Sequence, residues 1–182
     1  MIIEGTVIRV YGDDISTDII FPSEAAKKER VPEKLGPYAF FKFEGDRKTV
    51  PSKFYRDAKK LLEGGQKPIV VGGYNFGCGS SREDAVYTLK HSGVIAVIAT
   101  SFPDIFYRNA YNNGFAAIIC RTRNVNIGDE LKINLDEGRI VNVSEDEIYN
   151  FSLTENEKKL IRMGGVYPIM KRFLRKKLSG DI

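Results

Sequence analysis

Thiol and imidazole are scarce in this chain of 182 residues, which has two cysteines and one histidine. Cys78 and Cys120 cannot build a disulfide framework and show no C-x-x-C spacing. An iron–sulfur cluster takes three or four thiolates, so this chain's thiols alone cannot hold one. His91 stands far along the chain from Cys78 and forms no Cys–His dyad with it inside one local unit. Long apolar runs are also missing: Val94 to Ala99 is far too short to cross a bilayer. The start, "MIIEGTVIRV", lacks a basic leader, an extended apolar stretch and a small-residue cleavage site. A soluble, cytoplasmic protein is the expectation.

What is present fits one domain, since 42% hydrophobic residues over this length supply a single sizeable core. The formal charge is +4, with acids and bases interleaved except at "KRFLRKK". There Lys171, Arg172, Arg175, Lys176 and Lys177 read as the solvated face of a last helix, and phosphate or nucleic-acid binding is the rival reading.

Gly5 to Tyr11 is β-branched and stops at "GDD", which predicts a strand leading into a loop with Asp14, Thr17 and Asp18. From Phe21 to about Gly65 prolines and glycines break the pattern around a short helix at Phe54 to Leu62. A long irregular segment of this kind is usually functional or mobile. Two apolar strands, Pro68–Val71 and Val94–Ala99, flank a helix from about Ser81 to His91 that stops at Gly93. That is a parallel βαβ crossover. A helix at Asp104 to Asn112, ended by Gly114, and a strand at Phe115 to Cys120 repeat the pattern. Alternation on both sides of Asp136-Glu137-Gly138 predicts a β-hairpin. Thr154 and Glu157 have capping-box spacing for a helix to Met163, and Pro168 suits the first turn of a last amphipathic helix. The fold class is α/β, a mixed sheet with a parallel core and a hairpin.

The stretch "YNFGCGSSREDA" (Tyr74 to Ala85) follows the second strand. Ser80 to Glu83 fits S-x-x-E, a helix-capping box in which serine and glutamate each satisfy a backbone N–H. Capping has no use for Gly72, Gly73, Gly77 and Gly79, or for a second hydroxyl with Arg82. An anion site explains them: helix-start N–H groups and their dipole favour negative charge, and glycines let a ligand approach the backbone. Arg82 adds a planar fork for carboxylate or phosphate. The loop lacks the G-K-[ST] ending of a phosphate loop, and Arg82 occupies the third glycine of a dinucleotide fingerprint. A small carboxylate is favoured. Cys78 is a rival nucleophile if a helix start lowers its pKa. His91 is expected at the helix end, against the last carbonyls. Asp18 would hold an arginine if its loop faces the glycine-rich turn, whereas turn capping is the plainer role for these aspartates.

Taken together, "DISTDIIFP" (Asp14 to Pro22), "NFGCGSSRE" (Asn75 to Glu83), "SFPDIFYRNAYNNGF" (Ser101 to Phe115) and "IRMGG" (Ile161 to Gly165) resemble the small subunits of 3-isopropylmalate dehydratase and homoaconitase. These are stand-alone counterparts of the aconitase swivel domain. The resemblance implies one swivelling β/β/α domain over residues 1–182, with a substrate-recognition loop near 19–50. It implies a large-subunit partner carrying a [4Fe–4S] cluster, with no cofactor or metal held by this chain alone and no nucleic-acid or membrane partner. The small subunit closes over the cluster to complete the site. The resemblance makes Ser80 the residue that, as an alkoxide, takes the proton beside a substrate carboxylate. Ser81 and Arg82 then bind carboxylate, and Asp18, with Thr17, supplies the family's T-D element. Loss of hydroxyl and re-addition of water give an isomer, in leucine biosynthesis when the acid is 3-isopropylmalate.

Two departures bear on the substrate. Relatives commonly continue S-S-R-E-H, where this chain has Asp84. After "TDIIFP", isopropylmalate enzymes commonly carry an arginine or similar residue followed by Tyr-Leu, replaced here by "SEAAKKERVPEKLGPYAFF". Ungapped comparison with aconitase puts Arg30 at the substrate-arginine position, with Lys27 and Lys28 as competitors. A basic run suits a third carboxylate, as in homoaconitate or citrate, whereas isopropylmalate is the commonest substrate of stand-alone small subunits. A non-catalytic anion- or RNA-binding module is the reading from another class.

Overall fold

The computed structural model describes residues 1–43 and 50–179. The part of the expected recognition loop at 44–49 lies outside the described residues. The chain runs β1 (Ile2–Val10), α1 (Thr17–Ile20), α2 (Ser23–Ala26), short 3-10 turns at Pro32–Lys34 and Gly36–Tyr38, and α3 (Lys53–Glu63). There follow β2 (Pro68–Gly72), α4 (Asp84–His91), β3 (Ala96–Ala99), α5 (Asp104–Asn112) and β4 (Ala116–Ile119). Last come β5 (Glu130–Asn134), β6 (Arg139–Asn142), β7 (Glu147–Asn150), α6 (Glu155–Met163) and α7 (Val166–Ser179).

The strands form one seven-stranded sheet in the order β4-β3-β2-β1-β5-β6-β7. β1 to β4 are parallel, and β5 to β7 continue the sheet antiparallel from β1. β2 and β3 are buried along their whole length, as near-continuous apolar strands between two layers must be. Alternate residues serve opposite faces. Val70, Val97 and Ala117 join Phe54, Phe76, Val86, Leu89 and Phe106 on one side. Ile69, Val71, Ile98 and Ile118 join Leu131, Ile133, Ile140 and Ile161 on the other. Each large side chain so buried contributes roughly 1.5–3 kcal/mol.

The parallel core, α5, the hairpin and the α6 capping box agree with the sequence reading. In that box the Glu157 N–H donates to Thr154 Oγ1 at 3.3 Å and the Thr154 N–H to Glu157 Oε2 at 2.6 Å. Gly164 then ends the helix with φ +77°, a left-handed stop. Pro168 sits in the first turn of α7, whose cations are all exposed. Its apolar Tyr167, Met170, Phe173, Leu174 and Leu178 are exposed as well.

Three expectations change. α4 starts at Asp84, not near Ser81, and its N-cap Glu83 makes no side-chain capping bond. β7 is an additional edge strand, paired with β6 through a turn that holds Asp146 at φ +53°. His91 stacks on Tyr87, with ring centroids 6.3 Å apart, and among the described residues makes no hydrogen bond to the last carbonyls.

Candidate active site

The site grows from the carboxyl ends of β1 and β2, where both chains leave the sheet and remain zipped together. The Tyr11 N–H donates to the Val71 carbonyl at 2.9 Å, and the Gly73 N–H to the Gly12 carbonyl at 3.1 Å. Further out, the Gly77 N–H donates to Ile15 at 2.6 Å and the Thr17 N–H to Cys78 at 2.7 Å. Asp14 and Asn75, at φ +57° and +59°, turn the two strands together, and Asn75 Nδ2 donates to Asp14 Oδ1 at 2.7 Å. The "DISTD" loop therefore faces the glycine-rich turn.

That zipper ends on Ser80. Its N–H donates to Thr17 Oγ1 at 3.2 Å, and the Thr17 hydroxyl donates to the Ser80 carbonyl at 3.3 Å. Thr17 is only 2% exposed. Its hydroxyl is thus engaged by the backbone of Ser80, while Ser80 and Ser81 themselves are exposed. Arg82 Nη2 is ion-paired to Asp18 Oδ1, with the arginine side chain the less exposed partner. Asp18 does hold an arginine, from the first turn of α1.

The glycines turn out to serve packing within the chain. A Cβ on Gly72 would lie 2.5 Å from the Phe76 ring, one on Gly73 2.0 Å from Asp13 Oδ1, and one on Gly77 2.3 Å from the Phe106 ring. Gly79 is the exception: it is exposed, at φ +96°, and a Cβ there would meet only ordinary contacts. Gly77, at φ +85°, is needed for its backbone conformation as well as for space.

The capping box proposed for Ser80 and Glu83 does not form, because both residues are engaged elsewhere. Ser80 is held by Thr17, and Glu83 Oε1 accepts from Asn113 Nδ2 at 2.5 Å. Because a helix dipole acts mainly within its first turn, the field at Ser80 comes less from α4 than a helix start at Ser81 would give. Burial, and then the Asp14 carboxylate, push the Cys78 thiol above the ordinary value, which runs against the lowered pKa that a nucleophile there would need.

Arg30 is exposed, between α2 and the turn at Pro32–Lys34, with its backbone N–H on Glu29 Oε1 at 3.0 Å. Among the described residues no hydrogen bond or ion pair joins it to Ser80, Ser81 or Arg82. Lys27 and Lys28 are exposed, and after Lys42 they help to hold the Glu24 carboxyl below its usual value. Sequence reasoning assigned no role to Asn109 and Asn113, two amides four residues apart on the α5 side of the loop. Asn109 Nδ2 donates to the Ser81 carbonyl at 3.4 Å. Their signal was the helical i, i+4 spacing in "NAYNNGF".

The resembling segments are thus in mutual contact: "DISTD" holds "GSSR", α5 touches its far side, and Gly114 packs on Gly164–Gly165. Residues 8–122 match the aconitase C-terminal domain. The chain belongs to the aconitase C-terminal domain family.

Within that family it groups with the small subunits of 3-isopropylmalate dehydratase. It is 38% identical over 175 residues to the 3-isopropylmalate dehydratase small subunit of Sulfurisphaera tokodaii, covering 94% of this chain and 95% of that one. It is 40% identical over 174 residues to the isopropylmalate/citramalate isomerase small subunit of Methanocaldococcus jannaschii, with 94% and 95% covered. The crystal structure of a 3-isopropylmalate dehydratase from Methanocaldococcus jannaschii superposes with a TM-score of 0.78 at 32% identity, over 100% of this chain and 99% of that one. Such an aconitase-family chain does not fit as the holder of a [4Fe–4S] cluster. Cys78 lies beside the serine loop, Cys120 is buried and donates to the Asn150 carbonyl, and among the described residues no three His, Cys, Asp or Glu are grouped as metal ligands. No helix among them is long and apolar enough to cross a membrane.

Proposed function

We propose that this chain is the small subunit of a cytoplasmic two-subunit hydro-lyase that isomerises a 2-hydroxy di- or tricarboxylic acid, 3-isopropylmalate first. The observation that carries the reading is Ser80, exposed at the carboxyl end of the parallel sheet with its backbone gripped by Thr17. Beside it are Ser81 and the Arg82–Asp18 pair. An open half-site of this kind suits a chain that acts by closing over a larger partner.

In this reading a substrate carboxylate lies on the Arg82 fork, which Asp18 orients, and accepts from the Ser81 hydroxyl. Ser80, as an alkoxide, takes the proton from the carbon next to that carboxylate. The electron pair left behind forms the carbon–carbon double bond as the substrate hydroxyl departs. Ser80, now protonated, returns its proton when water adds in the other orientation. A serine is a poor base in water, so the site must hold the anion in a fixed polar setting, a role this reading gives to Arg82. Lewis-acid help for the departing hydroxyl belongs to a [4Fe–4S] cluster on the large subunit, outside this chain.

Isopropylmalate ranks first because the relatives compared carry its name and because Lys27, Lys28 and Arg30 stand exposed. Homoaconitate or citrate becomes the substrate if partner docking carries one of these cations into the site. The test is an anaerobic assay of this chain with its cognate, cluster-reconstituted large subunit. The panel is isopropylmalate, citramalate, dimethylmalate, homocitrate, homoaconitate and citrate. Turnover of one acid, lost by about 10²–10⁴-fold in Ser80→Ala, is expected. A formed complex that dehydrates none of them overturns the reading and leaves the anion- or RNA-binding module.

A further inference from the structure

Residues 79–83 belong to no helix or strand. Their geometry is fixed by side chains reaching in from elsewhere. Thr17 and Asp18 grip Ser80 and Arg82 from one side. From the other side Asn109 Nδ2 reaches the Ser81 carbonyl, and Asn113 Nδ2 reaches the Glu83 carboxylate. Resting on the reading above, we infer that Asn109 and Asn113 are positioning residues, which set Ser80 and Arg82 in register by fixing the chain on both sides of Arg82.

Asn113 is built for this task. Besides Glu83, its amide donates to the Asn109 carbonyl at 2.8 Å, so the side chain is locked against its own helix. Its backbone carbonyl accepts from Lys90 Nζ at 2.6 Å, which ties the end of α5 to the end of α4. The next residue, Gly114, is pressed on Gly164, where a Cβ would come within 2.2 Å of backbone. An amide anchored on three sides places a carboxylate with little freedom. A bond to a charged acceptor is also stronger than one between neutral groups.

The structure further explains why this contact displaces a helix cap. A capping box would turn Glu83 back toward the Ser80 N–H and wind residues 81–83 into the helix. With Glu83 held by Asn113, Ser81 and Arg82 stay outside the helix, and Glu83, itself at helical φ and ψ, stands as the N-cap of α4, which begins at Asp84. The catalytic turn is thus kept out of the helix by α5.

The test uses the assembled two-subunit enzyme and, separately, this chain. Asn113→Ala is expected to lower kcat by about ten- to a hundredfold, as a misplacement near 1 Å does, with KM changed by less than about threefold. Asn113→Asp should be slow for the added reason that it faces Glu83, one carboxylate against another. The double variant Asn113→Asp with Glu83→Gln exchanges donor and acceptor across that pair but leaves the Asn109 carbonyl facing an acceptor, so it should turn over faster than Asn113→Asp without reaching wild type. In the isolated chain Asn113→Ala should speed amide hydrogen exchange across 79–83 and leave β2 and β3 unchanged. The inference is overturned if Asn113→Ala keeps wild-type kcat, if the double variant is no faster than Asn113→Asp, or if exchange at 79–83 does not change. A wild-type complex without turnover would instead sink the proposed function, while the exchange experiment would still decide the role of Asn113.

Discussion

Replacing Thr17 by valine keeps its shape and removes one oxygen, which makes it the sharpest probe of the site. That oxygen takes part in two hydrogen bonds to Ser80, the N–H···O bond of 3.2 Å at the long end of the normal range and the O–H···O bond of 3.3 Å beyond it. Such bonds are worth about 0.5–1 kcal/mol each, so their loss costs about 1–2 kcal/mol of stability. For a domain of this size that lowers the melting temperature by about 2–8 °C. The chain stays folded at the assay temperature. The effect on rate should be larger: a base displaced by ~1 Å loses ~10²-fold, equivalent to ~2.7 kcal/mol of activation energy. Steady-state kinetics of the assembled enzyme, alongside thermal melts, separates the two effects. Thr17→Ser keeps the oxygen and should retain turnover within about threefold. The reasoning fails if Thr17→Val, still folded and bound to its partner, keeps turnover within threefold, or if Thr17→Ser is as slow as Thr17→Val.

Two further outcomes concern stability. Gly77→Ala would push a methyl to 2.3 Å from the Phe106 ring at a backbone φ of +85°. Overpacking at ~1–3 kcal/mol plus a left-handed penalty near 1–2 kcal/mol should lower the melting temperature by about 4–20 °C in calorimetry, and a drop under 2 °C would refute the packing role. For Asp57, burial would raise the carboxyl, but hydrogen bonds from Arg9 and Lys53 outweigh it and hold it below its ordinary value. Its folded pKa is therefore the lower one, so the stability it contributes is present above the unfolded value near 3.9 and fades as pH falls through the folded value. Urea melts from pH 6 to pH 2 should show Asp57→Asn losing less stability on acidification than wild type, by ~1 kcal/mol or less at this part-exposed site.

Local patterns made much of the architecture legible. The parallel strands are uninterrupted apolar runs, α5 lies between its breakers, and Thr154 with Glu157 spells a cap that forms as written. Where the reading missed, a distant side chain had outcompeted a local pattern. Ser80 and Glu83 spell an equally good cap, yet Thr17 and Asn113 hold them more favourably. No sequence window spans the 63 positions between Thr17 and Ser80. The glycines were recognisable as places of close approach, but not what approaches: rings of Phe76 and Phe106 lie against two of them. β7 escaped notice because an edge strand written "EIYN" buries little and shows weak alternation. Asp18 holding an arginine could be read only as conditional on its loop facing the glycine-rich turn, a condition met because both flank turns at the carboxyl ends of adjacent parallel strands.

The grip of Thr17, Asp18, Asn109 and Asn113 on the serine loop lies wholly within this chain. The loop's ordering entropy is consequently lost when the chain folds and is not incurred again at association. Docking onto a large subunit would then proceed as two preformed surfaces meeting, with little backbone rearrangement at Ser80. Calorimetry of that association would register a heat-capacity change set by the contact area alone, without the added contribution that accompanies coupled folding and binding.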